Sequence, residues 1–181
     1  GPAYGGSCFP KDTKAITTTA DKYKINLSVI KSVIKSNENR SSLLLNRVFD
    51  LLKGKIKNKK ICFLGVTFKA NTDDMRDSSC LKMIPHLIRK GAKINYYDPT
   101  GEKKEFNKLK NCIFYADVNK ACKNADLIIL HTEWDEFKTL NFRNITKNKK
   151  FKLYDLRNLY NLEEMRSKKI KYYSIGRPII S

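Results

Sequence analysis

Apolar positions follow two different grammars along this chain. From Pro10 to about residue 20, and again from Ile25 to Leu52, they recur three and four residues apart. Leu27, Ile30 and Ile34, and then Leu44, Val48 and Leu51, carry the second stretch, and this spacing lines up one face of an α-helix. Pro10 can open the first helix because its missing N–H would have no intrahelical partner there, and Asp12 then falls in the first turn, where the helix dipole favours a carboxylate. The second stretch reads as one long amphipathic helix or two joined ones, of the kind that packs on a partner subunit or domain. Beyond the break at 54–60 the pattern changes to short apolar runs alternating with helical stretches. Strands are predicted at 61–66, 93–97, 112–115, 127–130, 151–155 and 171–174, and helices at 79–89, 118–123, 141–146 and 162–168. Ser78 is the expected cap of the first of these helices, and Pro85 within it is expected to kink it. Such β-α-β alternation leaves few residues for hairpins and predicts a parallel sheet covered by helices on both faces.

Composition agrees with packed domains: 41% of the 181 residues are hydrophobic and 30% charged, which excludes a wholly disordered chain. No apolar run approaches the roughly 18 residues of a membrane-spanning helix, so none is expected. Lys and Arg number 37 against 18 acids, for a net charge of +19. The lysines cluster at Lys53, Lys55, Lys57, Lys59 and Lys60, and at Lys147, Lys149 and Lys150, beside Asn and Gly at element junctions. With no zinc-ligand spacing and no aromatic ribonucleoprotein pattern, specific nucleic-acid recognition is not expected. The charge can still assist anionic small ligands, and it leaves open an alternative in which a basic module holds RNA or another polyanion. Cys8, Cys62, Cys80, Cys112 and Cys122 are odd in number and form no C-x-x-C pair, as expected of reduced thiols in a cytoplasmic protein. The opening residues lack the basic and apolar regions of a signal peptide, so no export is expected.

The chemistry concentrates in Tyr4-Gly5-Gly6-Ser7-Cys8-Phe9-Pro10-Lys11-Asp12. Adjacent glycines allow close approach of the backbone to a ligand, and Cys8 stands at a helix mouth beside Lys11, where a thiolate is favoured. Asp12, one turn further on, is placed to orient a water towards an acyl group carried on Cys8. Asp73, Asp74 and Asp77 do not have the spacing of a calcium loop and read as caps or ion-pair partners, and no metal site is expected. His86 and His131 are solitary and read as structural, and Trp134 reads as a packing residue.

Three stretches together resemble the UDP-glucose/GDP-mannose dehydrogenase family. Gly5-Gly6-Ser7-Cys8-Phe9-Pro10-Lys11-Asp12 is similar to its catalytic-cysteine motif. Phe68-Lys69-Ala70-Asn71-Thr72-Asp73-Asp74-Met75-Arg76-Asp77-Ser78 is similar to the loop after the first strand of its C-terminal domain. Asp155-Leu156-Arg157-Asn158 resembles a late Asp-Gly-Arg-Asn strand end, with Leu156 in place of Gly. The resemblance implies a Rossmann-like domain over residues 55–181 that binds a UDP-sugar, preceded over residues 1–53 by the end of a catalytic segment and a central dimerisation helix, with a homodimer formed through the 25–52 segment. It implies a C-terminal fragment, because no Gly-x-Gly-x-x-Gly fingerprint is present and the family's NAD-binding domain and upstream catalytic Lys and Asn would lie elsewhere.

The implied activity is two successive oxidations of a sugar C6 alcohol with NAD, through a thiohemiacetal and a thioester on Cys8, which this fragment would not perform alone. Asp12 would assist the water chemistry. Tyr4, Gly5, Lys69 and Arg157 would contact the sugar nucleotide, and Lys11 and Arg76 the cofactor. Lys69, Arg76 and Arg157 are expected to converge on one crevice. The loop at 68–77 is worded more like UDP-glucose members, which make UDP-glucuronate, than like the GDP-mannose or UDP-N-acetylhexosamine branches.

Overall fold

The computed structural model describes residues 2–180. Two helices come first, α1 (Phe9–Lys22) and α2 (Ser28–Leu51), so the second apolar stretch forms one continuous helix. Its C-terminal half buries Leu44, Leu45, Val48 and Leu51.

Six strands follow: β1 (Lys60–Leu64), β2 (Lys93–Tyr97), β3 (Cys112–Phe114), β4 (Leu127–Leu130), β5 (Lys152–Asp155) and β6 (Lys171–Ser174). All five pairings between neighbours are parallel, and the spatial order is β3-β2-β1-β4-β5-β6. The connections run through α3 (Cys80–Arg89), α4 (Val118–Cys122), α5 (Phe142–Thr146) and α6 (Leu162–Ser167). Short 3-10 turns at Lys104–Phe106 and Asp135–Thr139, which the apolar pattern does not predict, complete the chain.

The sheet is buried on both faces because successive side chains point opposite ways. Ile61 and Phe63 of β1 and Leu127 and Ile129 of β4 join the apolar cluster under α2 and α3. Their neighbours Cys62, Leu64, Ile128 and Leu130 join the other cluster, with Ala121 and Cys122 of α4, Phe142 of α5 and Met165 of α6. Trp134 packs in this second cluster, in keeping with a packing role. α3 runs through Pro85 as a single element. Its first residue is Cys80, and the cap position falls to Ser79, one residue beyond the expected Ser78; the Ser78 hydroxyl instead donates to the Val66 carbonyl at 2.6 Å and accepts from the Cys80 N–H at 3.3 Å.

β1 ends two residues short of its predicted limit. Gly65 has φ +71°, and a Cβ there would lie 2.5 Å from that of Thr132, so the chain turns where only glycine fits. The Val66 N–H then donates to the Asp98 carboxylate at 2.8 Å instead of continuing the ladder. The two central strands β1 and β4 leave the sheet in opposite directions, which opens a crevice at the carboxyl edge between them.

Candidate functional site

A cavity of about 670 Å3 lies at that edge. Ala3, Tyr4 and Gly5 line it from the N-terminal segment, Phe68 and Lys69 from the loop after β1, and Arg157 from the loop after β5. Val33, Ser36, Asn37 and Arg40 close it from one face of α2. The four residues expected to contact a sugar nucleotide, Tyr4, Gly5, Lys69 and Arg157, are therefore brought together from positions more than 150 residues apart at the extremes.

Each is held for a local reason. The Gly5-Gly6 pair docks on the turn at 76–77: a Cβ on Gly5 would meet the Asp77 carbonyl oxygen at 2.7 Å, and one on Gly6 (φ +86°) would meet the Phe68 ring at 2.8 Å. The Gly6 N–H donates to the Arg76 carbonyl at 2.8 Å. Here the glycines serve close approach of the chain to itself. The Tyr4 ring stands edge-on to Phe9, with centroids 4.7 Å apart. Lys69 is exposed, its ammonium 5.5 Å from the centre of the Phe68 ring.

Arg157 is anchored from several sides. Its Nη2 donates to the Phe68 carbonyl at 2.6 Å and its Nε to the His131 carbonyl at 2.9 Å, while Glu133 Oε2 lies 2.7 Å from Nε. Burial pulls its guanidinium below the ordinary value, and Glu133 opposes the shift. The turn that carries it is organised by Asp155, whose fully buried carboxylate accepts from the N–H groups of Arg157, Leu159 and Tyr160 and from the Tyr172 hydroxyl. Leu156, which stands where the family motif has Gly, is itself buried, and its N–H donates to the Leu130 carbonyl at 2.9 Å.

Arg76 does not join this cavity, which corrects the expectation that three cations converge there. It lines a neighbouring depression of about 390 Å3 with Gly6, Ser7, Lys11 and Lys14. The reason is Asp74: its carboxylate takes the Arg76 side chain in a two-point ion pair, Nε to Oδ1 at 2.9 Å and Nη2 to Oδ2 at 2.8 Å, and also accepts the Arg76 N–H. That pairing raises the Arg76 guanidinium and lowers the Asp74 carboxyl from their ordinary values. Lys11 is 3.1 Å from Asp12, whose hydrogen bond and charge raise its ammonium. Cys8 is exposed at the start of α1, with its sulfur 3.6 Å from the Ser7 hydroxyl.

Two long-range side-chain pairings are not marked in the sequence. His131 is fully buried at the end of β4, with Ser79 Oγ 2.7 Å from Nε2 and Thr132 Oγ1 3.1 Å from Nδ1. Burial, and then Arg157, push its imidazole down to about 3. Its partner stands 52 residues away in sequence, so no local spacing marks the pair. Asn37 lies between the apolar positions Ile34 and Leu44, and its partner Tyr4 is 33 residues away, so the apolar pattern does not mark it. An Asn in a helix interior, where it is a weak helix former, was the available signal.

A parallel sheet of this order, with a cationic cleft at its carboxyl edge, defines a doubly wound α/β domain of the Rossmann-like class. Comparison with known proteins narrows the class. Residues 62–162 match the UDP binding domain of the UDP-glucose/GDP-mannose dehydrogenase family and residues 1–39 match that family's central domain; the chain belongs to this family. It is 40% identical over 182 residues to a UDP-glucose 6-dehydrogenase of Rickettsia prowazekii (strain Madrid E), an alignment covering 99% of this chain and 42% of that protein. Against the UDP-glucose 6-dehydrogenase of Rhizobium meliloti (strain 1021) the identity is 38%, over 98% of this chain and 41% of that protein. The chain thus spans about two fifths of the length of the curated relatives it matches. Among solved structures, a UDP-glucose dehydrogenase from Pyrobaculum islandicum matches with a TM-score of 0.80 at 25% identity, over 98% of this chain and 39% of that one. A GDP-mannose dehydrogenase from Pseudomonas aeruginosa matches with a TM-score of 0.72 at 25% identity, over 97% and 40% respectively.

Proposed function

We propose that this chain supplies the sugar-nucleotide half and the cysteine nucleophile of an NAD-dependent UDP-glucose 6-dehydrogenase, which oxidises UDP-glucose to UDP-glucuronate. The observation that carries the reading is the assembly of Tyr4, Gly5, Lys69 and Arg157 on one cleft at the carboxyl edge, where open α/β sheets bind ligands. Curated relatives at about 40% identity named UDP-glucose 6-dehydrogenase support UDP-glucose over the other sugars. We divide the chain into residues 1–53, the end of the catalytic segment with the central helix, and residues 55–181, the UDP-sugar domain.

In this reading Lys69 supplies positive charge at the cleft mouth for a diphosphate, and Arg157 fixes the two loops that frame it. Cys8 attacks the C6 aldehyde to give a thiohemiacetal, whose oxidation leaves a thioester. Asp12 orients the water that opens the thioester to the acid and frees the thiolate. NAD, when bound, accepts the hydride in each oxidation. The depression lined by Ser7, Lys11, Lys14 and Arg76 would take an edge of such a cofactor: three cations border it, and Arg76, whose Nε and Nη2 are held by Asp74, would add its charge to that of the lysines beside a pyrophosphate. The 181 residues hold no Gly-x-Gly-x-x-Gly run, and by themselves they bind without turnover.

Exposed apolar side chains on the two helices, Ile16 and Tyr23 on and after α1 and Val29, Val33 and Leu43 on α2, support a homodimer through this region. Among the described residues no helix is long and apolar enough to cross a membrane, which is compatible with a cytoplasmic enzyme.

The test is NAD reduction by the whole protein with UDP-glucose, alongside Cys8→Ser. The reading predicts turnover with UDP-glucose, and a Cys8→Ser protein that still binds UDP-glucose within about twofold while losing acid formation. Full activity in Cys8→Ser would contradict it.

A further inference from the structure

The Tyr4 backbone lies outside any regular element, so its N–H and C=O have no ladder or helix to satisfy them. Asn37, 33 residues away in the middle of α2, takes both: its Oδ1 accepts the Tyr4 N–H at 2.9 Å, and its Nδ2 donates to the Tyr4 carbonyl at 3.0 Å. A carboxamide used this way replaces two rungs of a sheet with one side chain. It fixes the position of the peptide and its rotation about the chain axis. The same device recurs at Asn158, whose Nδ2 donates to the Ile175 carbonyl at 3.0 Å and whose Oδ1 accepts the Ile175 N–H at 3.1 Å. Asn37 and Tyr4 also line both the 670 Å3 cleft and a smaller cavity of about 140 Å3 beyond it, so the pair forms part of the wall between them.

The segment from Tyr4 to Cys8 thus has two anchors. Asn37 ties its start to α2, and the Gly6 N–H ties its middle to the Arg76 carbonyl. We infer that Asn37 is a positioning residue for the proposed dehydrogenase reaction, holding the Tyr4–Cys8 segment in register so that the Cys8 sulfur meets the C6 carbon of a nucleotide sugar seated in the cleft. This inference rests on the reading of that cleft as the sugar-nucleotide site. Asn37 touches none of the reacting atoms. A nucleophile displaced by about 1 Å can cost on the order of 100-fold in rate, whereas Lys69 and Arg157, which serve the nucleotide end in this reading, stand on other loops, so loss of the Tyr4 anchor bears on the sugar end, where Tyr4 and Gly5 line the cleft, more than on UDP.

The experiment measures kcat, KM for UDP-glucose and affinity for UDP in the whole enzyme for wild type, Asn37→Ala, Asn37→Asp and Asn37→Gln, with thermal unfolding of each. Asn37→Asp has nearly the same shape and keeps the acceptor for the Tyr4 N–H, but it turns a carboxylate on the Tyr4 carbonyl. It therefore carries the test if the alanine variant does not fold. The expected result is a kcat reduced about 10- to 100-fold in Asn37→Ala and Asn37→Asp, partial recovery in Asn37→Gln, which retains both amide poles, and UDP affinity within about threefold of wild type throughout. Unchanged kcat in Asn37→Asp, or a parallel fall of UDP affinity and kcat, would overturn the inference. Failure of the wild-type enzyme to bind UDP or oxidise a nucleotide sugar would instead remove the functional reading on which it rests.

Discussion

The Arg157 guanidinium donates to the Phe68 carbonyl across 2.6 Å and to the His131 carbonyl across 2.9 Å, so one side chain ties together the loops that leave β1, β4 and β5. A lysine at this position carries a single ammonium and cannot serve two carbonyls in a planar fork. Arg157→Lys is expected to lose about 1–3 kcal/mol of stability, because one or both carbonyls lose their partner. With the Phe68–Lys69 loop loosened, UDP-glucose affinity should fall about tenfold or more. Denaturant unfolding and calorimetry on the same variant check the two effects together; a loss of stability with unchanged affinity would separate Arg157 from the ligand.

Gly5 makes a prediction of a different kind. A Cβ there would sit 2.7 Å from the Asp77 carbonyl oxygen, a backbone atom that cannot swing aside. Gly5→Ala is therefore expected to push the Tyr4–Cys8 segment off the 76–77 turn, destabilising the chain by about 1–3 kcal/mol, as overpacking does. Thermal unfolding measures this, and an unchanged midpoint would show that the docking is looser than its geometry implies.

His131 sets an acid-side dependence. Its imidazole is held down to about 3 in the folded chain, against an ordinary value of 6.5, so between these limits the unfolded chain binds the extra proton. The stability that neutral, buried His131 contributes is fully present above pH 6.5 and is lost as the pH falls towards 3, at up to about 1.4 kcal/mol per pH unit. Comparing denaturant unfolding of wild type and His131→Gln from pH 7 to pH 4 should give a shallower decline for the variant. Parallel declines would mean that His131 titrates in the folded state.

Much of this architecture was legible in the chain, for physical reasons that differ by element. β4 matches its predicted span because a strand buried on both faces in a parallel sheet is written as a continuous apolar run, Leu127-Ile128-Ile129-Leu130. Lys69 and Arg157 could be placed on one crevice because both follow strand ends that the topology brings to one edge. The position of Arg76 could not be read in the same way. It belongs to the same loop as Lys69, but the choice of the Asp74 carboxylate over the cleft is a matter of side-chain reach within a turn. Val66 reads as strand by its apolar character, yet it leaves the ladder for Asp98, 32 residues on. Asn37 and His131 were obscure for the same reason: their partners, Tyr4 and Ser79, are distant in sequence and meet them only in the fold.

The central claim is that the cleft framed by Tyr4, Gly5, Lys69 and Arg157 holds a uridine diphosphate sugar. Calorimetric titration of the 181-residue chain at moderate salt, with UDP-glucose, GDP-mannose and a short RNA, tests it most directly, run beside a Lys69→Ala, Arg157→Lys double variant. The account predicts saturable binding of UDP-glucose in preference to GDP-mannose, weakened at least tenfold in the double variant and much less sensitive to added salt than RNA binding would be. Binding of RNA alone, collapsing as salt rises, or UDP-glucose affinity unaltered in the double variant, would contradict it.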